Sequence, residues 1–98
     1  MSRIRTHPGE DLREEFMTPL GLSANALSRA LGVPPNRITA IIAAEDPRAV
    51  TPDTALRLAR YFGTTAEFWL NMQAAYDLSL ARATKGEEIE LTVRPRAA

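Results

Sequence analysis

The stretch from Ser23 to Ala43, SANALSRALGVPPNRITAIIA, leaves the chain little freedom and organises what lies on either side. Ser23 is a good N-cap, because its hydroxyl can accept a backbone N–H that has no partner inside a new helix. Ala26, Leu27, Ala30 and Leu31 then recur at the spacing of one helical face. Gly32 falls where the chain must turn left-handed to leave that helix, a conformation glycine enters without a Cβ penalty. Val33 plugs the angle of the turn. Pro34 and Pro35 follow, and a proline at the first helical position loses no hydrogen bond. Ile38, Ile41 and Ile42 form the apolar stripe of a second helix, expected from Pro35 to Ala43.

Two short helices joined by such a turn make a helix-turn-helix pattern. An αα-hairpin with the same pattern need bind nothing, so the outward face of the second helix has to be weighed. Asn36, Arg37 and Thr39 stand there beside the small Ala40. These side chains can read base edges or phosphates, and an alanine permits close approach. A helix exposed merely to solvent more often carries Glu and Lys, which are stronger helix formers.

Composition pulls the other way. The formal net charge is zero, whereas phosphate neutralisation supplies most non-specific affinity for nucleic acid. The charges are unevenly spread: Ser23 to Arg60 holds five arginines against three acids, and the remainder is correspondingly acidic. A binder of this kind depends on dimerisation and specific contacts more than on bulk electrostatics. The 98 residues suit one domain with a modest core, and the 45% apolar content argues against disorder. No apolar run reaches the ~18 residues of a membrane span, and no signal peptide opens the chain. The absence of cysteine removes disulfides and thiolate metal sites and fits a cytoplasmic protein.

Residues 1–6 read as a loose arm carrying Arg3 and Arg5. A first helix starts at His7-Pro8-Gly9-Glu10, turns Leu12 and Phe16 inward, and stops at Thr18-Pro19, since the residue before proline avoids the α region. Leu20 and Leu22 are expected in the core. After the central pair comes the loop AEDPRAV, then a capped helix from Thr51 that buries Ala55, Leu56, Leu58, Ala59 and Phe62 and ends at Gly63. Thr64-Thr65-Ala66-Glu67 has the spacing of a capping box. The fifth helix carries Phe68, Trp69, Met72, Ala75, Tyr76 and Leu80, more apolar surface than one small core requires. From Thr84 the pattern changes: Lys85-Gly86 reads as a turn, and Ile89, Leu91 and Val93 alternate with polar residues as in a strand. A lone strand needs a partner, so antiparallel pairing with a second copy is expected, with Trp69 or Tyr76 as a further dimer contact. The fold expected is therefore all-α, five helices over residues 7–83, with a C-terminal strand and tail over residues 84–98 paired across a homodimer.

Catalytic chemistry finds no foothold. His7 is the only histidine and sits at a helix start, Glu14 and Glu15 point apart, and no phosphate loop, nucleophile elbow or metal-ligand cluster occurs. Neither an enzyme nor a cofactor is expected.

The segments HPGEDLREEFMTPLGLS, ALGVPPNRI, TPDTALRLARYFGT and EFWLNMQAAYDL together resemble the HigA-type antitoxins, of the XRE (lambda-repressor-like) helix-turn-helix class. The resemblance covers about Thr6 to Leu80. It implies an antitoxin that dimerises, neutralises a small mRNA-cleaving toxin and represses the operon encoding the pair through an inverted-repeat operator. By position it implies DNA contacts from Pro35, Asn36, Arg37, Thr39 and Ala40, a phosphate contact at Ser23, and a loop cation at Arg48. One departure stands out: where the family has a glycine and basic residues after the recognition helix, this chain has Ala44-Glu45-Asp46-Pro47. Two rivals stay open, a repressor without a toxin partner and a protein-interaction module that has lost DNA binding.

Overall fold

The computed structural model describes residues 3–97, and among them the secondary structure is entirely helical. Five helices follow one another. The first, α1, opens as Pro8–Asp11, widens into a π-helical stretch at Leu12–Met17 and closes as Thr18–Leu20. The second and third, α2 (Ala24–Leu31) and α3 (Pro35–Ile41), form the helix-turn-helix; α4 is Pro52–Phe62 and α5 is Ala66–Thr92.

Local chemistry accounts for most boundaries. Ser23 caps α2 by accepting the Ala26 N–H at 3.1 Å, and Thr51 and Thr65 cap α4 and α5 on Thr54 and Phe68. Gly32 and Gly63 end α2 and α4 with φ of 70° and 73°, the left-handed region where a side chain is disfavoured. Pro35 opens α3 as expected, but that helix ends at Ile41 rather than Ala43. The expected capping box does not form: the cap is Thr65, which puts Phe68 rather than Glu67 at the third helical position, and the Thr64 hydroxyl instead accepts the Trp69 indole N–H at 2.8 Å.

Thr18-Pro19 does not stop α1. The Thr18 N–H reaches back five residues to the Arg13 carbonyl, and this wider turn gives the proline ring room that the regular helix would deny it at the carbonyl four residues back. The helix runs on to Leu20 and ends at Gly21, φ 64°. Leu20 consequently faces solvent, 65% exposed, while Leu22 packs against the core.

The core draws on all five helices and the loop before α4: Leu12, Met17, Leu27, Leu31, Ile38, Ile41, Val50, Ala55, Leu58 and Trp69 are buried. The Phe16 ring packs at a tilt against Phe62 and Trp69, with centroids 4.9 Å and 5.1 Å away, joining α1, α4 and α5. Two expected faces shift. Ala30 is exposed and the fully buried Ser28 takes its place in α2, and in α4 Leu56 faces out while Thr54 faces in. Trp69 is 0% exposed, so its ring belongs to the core of its own chain and leaves no surface for a dimer contact. Tyr76 is half-buried, its ring edge-on to His7 at 4.8 Å.

The C-terminal strand does not exist. Residues 84–92, Lys85-Gly86 included, continue α5, and the 27-residue helix runs through the expected boundary at Ala83. The reason is cooperativity. Extending a helix already nucleated at Thr65 adds a hydrogen bond per residue and needs no partner, whereas a strand leaves its backbone groups open until another strand arrives. Glu87, Glu88, Glu90 and Leu91 are good helix formers, and the alternation covers only the six residues Glu88 to Val93. Ile89 and Leu91 therefore lie on different sides of a helix and share no strand face; Val93 is extended just beyond its end, ahead of Pro95. Ile89, Leu91 and Val93 are all exposed. At the other end, the first two residues of the expected arm lie outside the described residues, and the Arg5 N–H donates to the buried Ser79 hydroxyl at 2.8 Å.

Candidate nucleic-acid interface

The helix α3 is held from three sides, and each contact fixes what it presents outward. Ile38 and Ile41 are buried, and Ile42 packs beside them. From α2, the Ser28 hydroxyl donates to the Pro35 carbonyl at 3.3 Å across the turn. From α1, Arg13 reaches the Ile42 carbonyl at 3.5 Å, and Gly9 lies so close under Ile41 that a Cβ there would sit 2.8 Å from the Ile41 carbonyl carbon. After α3 the chain folds back, the Arg48 N–H donating to the Ala40 carbonyl at 2.9 Å.

The outward side of this clamp gathers the expected contact residues. Asn36, Arg37, Ala40 and Arg48 line one hollow with Pro34. Pro35 and Thr39 are exposed on the same helix, the Thr39 hydroxyl donating to the Pro35 carbonyl at 3.4 Å, which leaves its oxygen free to accept. Ser23 is exposed at the N-terminus of α2 and is not part of the hollow; its oxygen is the helix cap. Glu45 and Asp46 are exposed in the loop between Ala40 and Arg48, and Asp46 adopts a φ of 47°, left-handed for a residue other than glycine.

Sequence reading missed two residues of this surface. Asp53, in the first turn of α4, accepts from Arg37 Nη1 at 2.7 Å and from Arg57 Nε at 3.0 Å, both on Oδ2. Arg57 also donates from Nη1 to the Leu31 carbonyl at 2.8 Å, at the C-terminal end of α2. The Arg57 hydrogen bond, followed by that of Arg37, holds the Asp53 carboxyl below its ordinary value. The Asp53–Arg57 spacing of four is legible on a helix. The reach to Arg37 is not, because it joins residues sixteen apart across the fold.

Comparison with known proteins bears on this arrangement directly. Residues 12–69 match the helix-turn-helix family. The chain is 58% identical over 79 residues to virulence-associated protein I of Dichelobacter nodosus, a match that takes in 81% of this chain and 71% of that one. It is 39% identical over 87 residues to the antitoxin HigA-1 of Vibrio cholerae, spanning 89% and 79%. The solved structure of the Pseudomonas aeruginosa antitoxin HigA with the higBA promoter superposes with a TM-score of 0.87 at 41% identity, over 94% of this chain and 98% of that one. The chain belongs to the HigA family of helix-turn-helix antitoxins. HigA-type proteins are non-enzymatic regulators. Among the described residues, no helix is long and apolar enough to cross a membrane.

Proposed function

We propose that this chain is the antitoxin of a toxin–antitoxin pair, that it lays α3 in the major groove of its own operator, and that it thereby represses the operon while neutralising a small toxin. The observation that carries the DNA reading is the hollow where Asn36, Arg37, Ala40 and Arg48 converge on the exposed side of a helix whose other side is locked into the core. Asn and Arg are the residues that read adenine and guanine edges with paired hydrogen bonds, and Ala40 lets the helix approach. The HigA relative solved with the higBA promoter supports DNA binding by this fold.

A homodimer on an inverted repeat completes the reading, with recognition helices about 34–36 Å apart, one DNA turn. What supports it is the end of α5: residues 81–92 are almost wholly exposed, yet Ile89 and Leu91 are apolar. A helix with open surface on every side is suited to a second copy or to the toxin. We assign residues 7–83 to DNA binding and residues 84–98 to assembly.

The test is titration of the protein's own upstream DNA. Asn36→Ala and Arg37→Ala should each weaken operator binding by ~1–3 kcal/mol, with melting little changed because these side chains lie outside the core. Wild-type affinity in both variants would overturn the docking. A chain truncated after Ala83 that sediments as a wild-type dimer would remove the assembly role of the helix end.

A further inference from the structure

Asp53 is an odd neighbour for a DNA-reading arginine, since a carboxylate beside the duplex repels phosphate. We propose that Asp53 is a specificity-determining positioning residue: it aims the Arg37 guanidinium and thereby converts bulk affinity into base discrimination. This rests on the operator reading above.

The geometry has three links. Arg57 is anchored by the Leu31 carbonyl at 2.8 Å, with the Gly32 carbonyl at 3.4 Å. Its Nε fixes Asp53 Oδ2 at 3.0 Å, and the same oxygen takes Arg37 Nη1 at 2.7 Å. The recognition helix, the start of α4 and the turn between α2 and α3 are thus joined through one carboxylate. A guanidinium has five donors in a rigid fork, and one bond to Asp53 leaves the rest for a base edge. An unrestrained arginine must give up much of its rotamer freedom on contact, so holding it beforehand removes part of that cost for the base within reach of the held geometry. Asp53 is exposed and both arginines are partly exposed, and ion pairs this open to solvent contribute little to stability. What the pairing changes is where Arg37 points.

The experiment compares binding of the full chain to a duplex of its own upstream DNA and to a shuffled duplex of equal composition, with the ratio of the two affinities as the readout. Asp53→Asn should bind the shuffled duplex as tightly as wild type or tighter, having lost a negative charge, while the ratio falls roughly fivefold or more. Made on an Arg37→Ala background, the same substitution should leave the ratio unchanged. Should Asp53→Asn fail to fold by circular dichroism, Asp53→Ser, which keeps an oxygen in the first turn of α4, is read in the same cycle. A wild-type ratio in the folded Asp53 variant overturns the inference, as does an equal fall without Arg37, which would place the effect in Arg57 or the helix start. A wild-type chain that bound both duplexes alike would overturn the operator reading and this inference with it.

Discussion

Replacing Gly9 by alanine tests how α1 supports the recognition helix. The added Cβ would press against the Ile41 carbonyl oxygen well inside contact distance, 2.8 Å from the carbonyl carbon and 3.0 Å from the His7 Nδ1 that caps the helix. The obstruction is backbone, which cannot rotate away, so a cost of ~1–3 kcal/mol follows from overpacking. Alanine is intrinsically better than glycine in a helix, but by at most about 1 kcal/mol, and less in a first turn. The net loss of ~1–2 kcal/mol corresponds to a Tm lower by roughly 5–15 °C in a domain this size. Because Ile41 is the last residue of α3, operator affinity should fall as well at temperatures where the variant is still folded. Thermal unfolding followed by circular dichroism, with operator titration well below the transition, measures both. A Tm at or above that of wild type would refute the close approach of α1 to α3.

Gly86→Ala should act in the opposite sense. Its Cβ meets only the Arg82 Cβ at 3.9 Å, so helical content and stability of the α5 end should rise, by up to ~1 kcal/mol locally; unchanged helicity would count against a helix there. Gln73→Leu strips the buried Val50 N–H of its acceptor, now at 2.8 Å, and should cost ~1–3 kcal/mol in urea unfolding, whereas Asp77→Asn, which touches only the amide side of Gln73 at 3.0 Å, should cost far less. His7 is buried, and desolvation lowers its pKa from 6.5 against the opposing pull of Asp77. The unfolded chain then binds the extra proton first, so stability is complete above about pH 6.5 and declines as pH falls toward the folded value. His7→Asn, which keeps a capping acceptor, should flatten Tm across that window; an equal decline would place the proton elsewhere.

The parts of this fold written in neighbouring residues were legible in the sequence. Ser23, Thr51, Gly32, Gly63 and Pro35 each settle a helix end through a bond or a dihedral within a few positions, and none depends on what the chain meets later. The same locality placed Asn36, Arg37, Thr39 and Ala40 on the face opposite the isoleucines. The tertiary structure decided whatever needed a second segment. Leu20 and Leu56 are apolar and suitably spaced, yet nothing folds over them, while the polar Ser28 and Thr54 are inside because other helices close on them. Thr64 looked like a cap until Trp69 claimed its hydroxyl. Residues 88–93 alternate like a strand, but pairing requires a partner and helix propagation requires only the turn before it. Asp53 joins the interface through an ion pair sixteen residues long in sequence and 2.7 Å long in space, a contact that periodicity cannot encode because no local interaction specifies it.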